Sequence, residues 1–266
     1  MGLRGLKEEE KVMVVGEKVD RKSIGFRITD RDLSILSFLL DQKFASLAQV
    51  YFRFFDKRES VNDPLPQGFH VTRQRLNVLK RAGLIHTEKV YTEGKSVYLL
   101  TTTGLKILEG RRPNDAYAQP VKSVDFRSYE HDSRVNDCRI GIERTGKVLK
   151  WLSDRRLKME GFQSHFSGEK LPKSVIPDGV FVTSRAERIV FELETSIRKR
   201  SRYRDKMHDL RSVMWGEQPL FHRVIWVGST EKIISDLRKV VGERRGFVVE
   251  SYGHFLGKLW PGGVKK

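Results

Sequence analysis

Residues 177–194 read PDGVFVTSRAERIVFELE, and the reading of the fold starts from this stretch. Val180, Phe181 and Val182 follow Asp178-Gly179, and Ile189, Val190 and Phe191 lead into Glu192-Leu193-Glu194. The polar tetrapeptide Ser184-Arg185-Ala186-Glu187 lies between the two apolar runs. That pattern predicts strands over about 174–183 and 188–194, closed as a hairpin. Side chains alternate across a strand, so Glu192 and Glu194 share a face, and the hairpin brings Asp178 beside them. Three carboxylates on one sheet repel one another and are costly to bury without a cation. Hard oxygen donors of this kind suit Mg²⁺ or Mn²⁺, which can activate water and neutralise charge developing on a phosphodiester. The competing reading is a solvated acidic strand end.

The elements around this hairpin predict an α/β domain over 126–256. Val135, Cys138, Ile142, Leu149 and Leu152 recur at helical spacing, predicting a long helix from Tyr129 to about Leu152, with His131 on its inner face. A further strand is expected over 157–162. After the hairpin come a helix to about Met214, a strand over 221–227, a helix over 231–241 and a strand over 246–251. Strands alternating with helices late in the domain require a mixed sheet with covered faces. Residues 257–266 read as a basic tail.

The first half reads differently. Residues 1–27 mix charges without periodicity and are expected to form a flexible arm. Thr29 precedes Asp30-Arg31-Asp32, an N-cap with acids in the first turn, and Leu33, Leu36 and Leu40 carry helical spacing to about Gln42. Ser46 caps a second helix. A third runs from Val71 to Ala82 and stops at Gly83, with Val71, Val78, Leu79 and Ala82 expected inward. Two strands, 84–91 and 95–100, follow across a short turn at Thr92-Glu93-Gly94, and a short helix spans 103–109. Three helices and a hairpin predict a winged helix-turn-helix over 28–110. Its third helix would offer Arg73, Gln74, Asn77, Lys80 and Arg81 to the major groove. A loop of about fifteen residues with Pro64 and Pro66 separates the second and third helices, longer than a tight helix-turn-helix uses. Residues 111–125, from Arg111-Arg112-Pro113 to Pro120 and beyond, break both periodicities and read as a linker.

Composition supports a polyanionic partner. The 266 residues carry a formal charge of +17 and a pI near 10.0. The excess is uneven: residues 28–110 carry net +3 and residues 151–266 net +9. The densest run includes Arg198, Lys199, Arg200, Arg202, Arg204 and Lys206, with Asp205 its one acid. Nucleic acid is the leading partner, and a membrane fits less well because the run lacks an apolar face for insertion. One cysteine excludes an internal disulfide framework or a Cys-based zinc site. No apolar run is long enough to span a bilayer, and MGLRGLKEEEK carries no signal-peptide core, so a soluble cytoplasmic protein is expected.

Pro177-Asp178 followed by Glu192-Leu193-Glu194 at the next strand's end resembles the PD-(D/E)xK nucleases of the restriction-endonuclease-like fold. More narrowly, residues 28–255 resemble the replication-relaxation family of plasmids and other mobile elements, which joins a winged helix to such a domain. The matching pieces are Arg31-Asp32-Leu33-Ser34-Ile35-Leu36, Leu79 to Gly83-Leu84-Ile85, Tyr98 and Leu100-Thr101 to Gly104, His131 to Val135-Asn136-Asp137, Pro177-Asp178 and Phe191-Glu192-Leu193-Glu194. The resemblance implies a metal-dependent DNA nickase or endonuclease in replication initiation or mobilisation, with Asp178 and Glu192 as metal carboxylates. Its DNA would be duplex, or nicked or single-stranded at an origin, gripped in part by Arg198, Lys199, Arg200 and Arg202. Glu194 stands where the motif most often has lysine, and Lys206 is placed to substitute from the following helix. Glu130, Glu143 or His131 would complete the site, His131 also reading as a hydrogen-bonded structural histidine.

The histidines show no His-hydrophobic-His relaxase motif, and Tyr117, Tyr129 and Tyr203 have no motif support as nucleophiles. No phosphate-binding GxxxxGK[ST] loop is present. Cys138 reads as an inert core thiol. Two rival readings remain: a non-catalytic DNA-binding initiator with a degenerate nuclease-like domain, and a transcription regulator whose second domain senses a ligand. Double-strand cleavage would require a homodimer, for which the sequence carries no signature.

Overall fold

Two capping boxes start the chain's first helices. Thr29 caps α1 (Asp30–Gln42), its backbone N–H donating to Asp32 Oδ2 at 2.7 Å while its hydroxyl accepts from the Asp32 N–H. Ser46 and Gln49 repeat the arrangement at α2 (Leu47–Phe54), after the short strand β1 (Ala45–Ser46). The computed structural model describes residues 27–56, 68–90, 94–161, 176–214 and 219–259. The expected arm through residue 26, the loop with Pro64 and Pro66, the turn residues Thr92 and Glu93, and the tail from 260 lie outside them.

Helix α3 (Gly68–Arg81) ends before Gly83, whose φ of +70° suits a residue without a Cβ. Its inner stripe is Thr72, Leu76 and Leu79. Val71, expected inside, is 47% exposed. Thr72 takes the buried place because its hydroxyl donates to Gly68 O at 2.7 Å, so its polar atom enters the core already satisfied. Strands β2 (Ile85–Val90) and β3 (Lys95–Leu100) pair antiparallel, and β1 pairs with β3 on its other side. Helix α4 (Thr102–Arg111), capped by Thr101, and a 3-10 turn (Pro113–Asp115) follow.

Helix α5 (Tyr129–Arg144) is shorter than its periodicity predicts. Gly146, at φ +68°, turns the chain, and residues beyond it form strand β4 (Val148–Ser153). Leu149 and Leu152 therefore lie on a strand, with Leu149 72% exposed and Leu152 buried. The expected strand over 157–162 is instead helix α6 (Asp154–Glu160) as far as residue 160. Ser153 caps it, and the i,i+4 pairs Arg156–Glu160 and Lys158–Asp154 support it.

The remaining elements are β5 (Gly179–Thr183), β6 (Arg188–Glu194), α7 (Arg200–Ser212), β7 (Arg223–Gly228), α8 (Glu231–Val241), β8 (Phe247–Ser251) and α9 (Tyr252–Leu259). Helix α9, which the sequence reading did not foresee, absorbs residues 257–259 of the expected tail. The five strands form one mixed sheet in the order β4-β5-β6-β7-β8, antiparallel through β6 and parallel from β6 to β8. The protein is thus α/β, with a small antiparallel sheet beside the mixed one.

Central strand β6 is buried from Ile189 to Glu194, as expected of a strand covered on both faces. Ile189, Phe191 and Leu193 pack with Val135, Cys138 and Ile142 of α5 and Phe255 of α9. Val190, on the opposite face, packs with Leu210 of α7, so Glu192 and Glu194 look toward that helix. The segment 111–125 does not hang free, since Ala118 and Val124 are buried in cores of the first half.

A polar seam joins the halves. Asp41 of α1 pairs with Arg139 of α5 and accepts from Tyr117 at 2.8 Å and Ser153 at 2.7 Å. Gln49 donates to Asp137 at 2.9 Å, and Asn136 donates to Phe44 O at 2.8 Å.

Candidate functional site

The β5–β6 hairpin and α5 position Asp178. Its Oδ2 accepts from the Leu193 backbone N–H at 2.7 Å and lies 3.3 Å from His131 Nε2, which is also 3.1 Å from Leu193 O. His131 Nδ1 lies 3.2 Å from Asp132 Oδ1. All three neighbours of the ring are acceptors, so both nitrogens donate and the ring is an imidazolium. Burial works against that charge, but Asp132 and Asp178 outweigh it and hold the His131 pKa at about 10. Burial likewise works to raise Asp178, and the bond and charge of His131, with Lys206 and the Leu193 N–H, pull it below the usual carboxylate range. Asp132 accepts in turn from Lys43 Nζ at 2.9 Å and from Ser128 at 3.0 Å.

Glu192, on β6, is 1% exposed. Its Oε2 accepts from Lys206 Nζ at 2.6 Å, and its Oε1 has no hydrogen-bond partner. Lys206 follows Tyr203 by three residues on the inner stripe of α7, which carries the ammonium to the strand. Burial, with Asp178 and Glu194 nearby, pushes Glu192 up to about 8 despite Lys206. Glu194 is also raised by burial, although Arg198 pairs with it at 3.1 Å.

The structure therefore gathers Asp178, Glu192, Glu194, Lys206 and His131 at one end of the central strands, each carboxylate facing a basic partner. Among the described residues no three His, Cys, Asp or Glu side chains stand grouped to hold a metal ion. The fit to a divalent ion is that of a two-carboxylate site, Asp178 and Glu192. Glu192 Oε1 is a buried, unpartnered oxygen, and Mg²⁺ commonly takes one or two carboxylates and keeps several waters.

Other candidates lie elsewhere. Glu143 pairs with Arg139 at 3.0 Å and with Arg53, and exposed Glu130 pairs with Arg134 at 2.6 Å. Asn136 and Asp137 serve the seam rather than the site. Tyr117 donates to Asp41, Tyr129 stacks on Phe44, and buried Tyr203 donates to Ser196 O at 3.4 Å. Cys138 is buried, and burial raises its thiol far above the ordinary range, as an inert core thiol requires.

Arg73, Gln74, Asn77, Lys80 and Arg81 all lie on the exposed side of α3, with Lys80 donating to Thr87 at 2.8 Å. Arg198, Lys199, Arg200 and Arg202 are exposed at the start of α7, where Arg200 pairs with Asp236 at 2.7 Å. The sequence reading missed Gln42, Lys43 and Asp132, which line a pocket with His131, Asp154 and Asp178. Asp132, next to His131 in the chain, was within reach of local reasoning. Nothing local connects Lys43 to Asp132.

No family model matches this chain, and comparison with curated proteins and with solved structures likewise found no match.

Proposed function

We propose that the chain is a divalent-metal-dependent DNA nickase or endonuclease of the replication-relaxation type, cutting a phosphodiester in replication initiation or mobilisation. The observation that carries this reading is Glu192: a buried carboxylate with one oxygen on Lys206 and the other unpartnered, near Asp178, the residue just before β5. Asp178 and Glu192 would hold Mg²⁺ or Mn²⁺. When bound, the ion supplies Lewis-acid charge for water activation and for the developing phosphate charge. His131 fixes the orientation of Asp178. Lys206 holds Glu192 and would substitute, from the following helix, for the motif's lysine.

Duplex DNA is the proposed partner. The reading takes residues 28–110 as a winged helix, supported by the order helix, strand, two helices, hairpin and by the exposed polar side of α3. Phosphate contacts from the basic start of α7 would add grip beside the site.

The test is nicking of supercoiled plasmid in Mg²⁺ or Mn²⁺ by wild type, Asp178→Ala and Glu192→Ala, with DNA binding measured alongside. Metal-dependent nicking lost in both variants, with binding retained, is the expected result. A second reading, a non-catalytic DNA-binding initiator, is favoured by Glu194, which stands in the lysine position and turns to Arg198. It predicts firm binding without nicking on a plasmid carrying its own element's origin.

A further inference from the structure

We propose that Gln42 and Lys43, at the end of α1, form the subsite that receives a non-bridging oxygen of the scissile phosphodiester, so that the first half of the chain completes the centre at Asp178. This rests on the phosphodiesterase reading above and adds the residues that would hold the substrate's phosphate.

Four observations lead there. First, both residues line the pocket that also reaches His131, Asp132 and Asp178. Second, Gln42 is 6% exposed, yet its Nε2 has no hydrogen-bond partner. A buried amide donor without an acceptor is rare, because its lost hydration is not compensated. A ligand oxygen entering the pocket supplies the missing acceptor.

Third, Lys43 adds an ammonium with three donors, of which Asp132 takes one at 2.9 Å. An ammonium and an amide lining one small pocket are the donors an oxygen carrying negative charge requires. Fourth, the pocket has room for little more than a water-sized sphere. A single projecting oxygen fits it, and a base or a free phosphate does not.

Three carboxylates share the pocket's charge balance: Asp154, Asp132 and Asp178 all face Lys43, His131 meets Asp132 and Asp178, and Lys158 meets Asp154 at 2.8 Å, so the amide of Gln42 is the donor that no carboxylate already occupies. Lys43 also sits at φ +71°, with Phe44 N–H donating to Gln42 O at 2.8 Å, in a γ-turn that L residues seldom adopt.

The test uses the full chain and the variants Gln42→Met, Gln42→Glu, Lys43→Met and Lys43→Arg. Four quantities are read: kcat and KM for nicking supercoiled plasmid in Mn²⁺, Mn²⁺ affinity by electron paramagnetic resonance, DNA affinity in Ca²⁺, and the unfolding midpoint. Gln42→Met and Lys43→Met are expected to lower kcat by about 100-fold, as loss of one charge-stabilising donor does. KM, Mn²⁺ affinity and DNA affinity should stay near wild type, and Lys43→Arg should recover part of the rate. Isosteric Gln42→Glu, which exchanges the donor for an acceptor, carries the test if Gln42→Met fails to fold. Variants that cut like a nicking wild type overturn the subsite and leave the phosphodiesterase reading standing. Mn²⁺ affinity falling in step with kcat also overturns it, since the residues would then be serving the ion. A wild type that neither binds Mn²⁺ nor nicks removes the phosphodiesterase reading and the subsite with it.

Discussion

Lys206 Nζ lies 2.6 Å from Glu192 Oε2, across a carboxylate that is 1% exposed. Burying a carboxyl and an ammonium together rarely adds net stability, because desolvating the charged forms offsets their attraction. The presence of this pair on the central strand, with one oxygen of Glu192 left without a partner, is better explained by chemistry than by stability.

The pair sets a pH dependence. With its pKa pushed to about 8, folded Glu192 holds a proton that the unfolded chain releases near 4.5, the ordinary glutamate value. The folded state then binds more protons than the unfolded state across that window, so stability falls as pH rises from about 4.5 to about 8. His131, held at about 10, adds a decline of the same sign above 6.5. Urea unfolding without divalent ions should show this fall, and Glu192→Gln should flatten it most below pH 6.5, where His131 does not contribute. Lys206→Met should cost little near pH 5.5 and about 1 kcal/mol more near pH 9, where the variant's Glu192 keeps the proton that wild-type Glu192 has lost. A flat Glu192 difference curve would contradict the assignment.

The backbone at Lys43 yields a prediction independent of function. At φ +71° a Cβ is strained, and glycine is not. Lys43→Gly and Lys43→Ala both lose the bond to Asp132, so their difference isolates the backbone. Lys43→Gly should be the more stable by about 1 kcal/mol in urea unfolding. Equal stabilities would show that the γ-turn is not kept in solution.

If DNA is the partner, the two basic surfaces should respond differently. Lys199→Gln and Arg202→Gln, both at exposed positions, should each reduce the slope of log Kd against log salt by about 1, whatever the sequence. Asn77→Ala on α3 should leave that slope nearly unchanged and weaken binding to the preferred site by about 1–3 kcal/mol. Fluorescence anisotropy over a salt series separates the two. A uniform loss from Asn77→Ala would argue against base reading by α3.

Much of this architecture follows from short-range signals. Thr29 with Asp32 and Ser46 with Gln49 announce helix starts, because the capping bonds close within four residues. The expected strand at 188–194 and helix at 231–241 match β6 and α8. Once Ser184–Glu187 turns the hairpin, alternation on β6 places Glu192 and Glu194 on one face, with Asp178 on the neighbouring strand's approach. The same local logic fails where a period outlives its element. Leu149 and Leu152 continue the spacing of α5 past Gly146, a stop that the sequence itself contains.

What the sequence by itself determined are the hairpin, its carboxylates and the helix that carries Lys206, since caps, turns and alternation act over a few residues. Tertiary structure alone decided that Glu192 meets Lys206, and that α1 ends with Gln42 and Lys43 against His131 and Asp132. Lys43 and Asp132 are 89 residues apart. No periodicity reaches that far, and only the packing of α5 across both halves, through Asp41–Arg139 and Gln49–Asp137, brings them together.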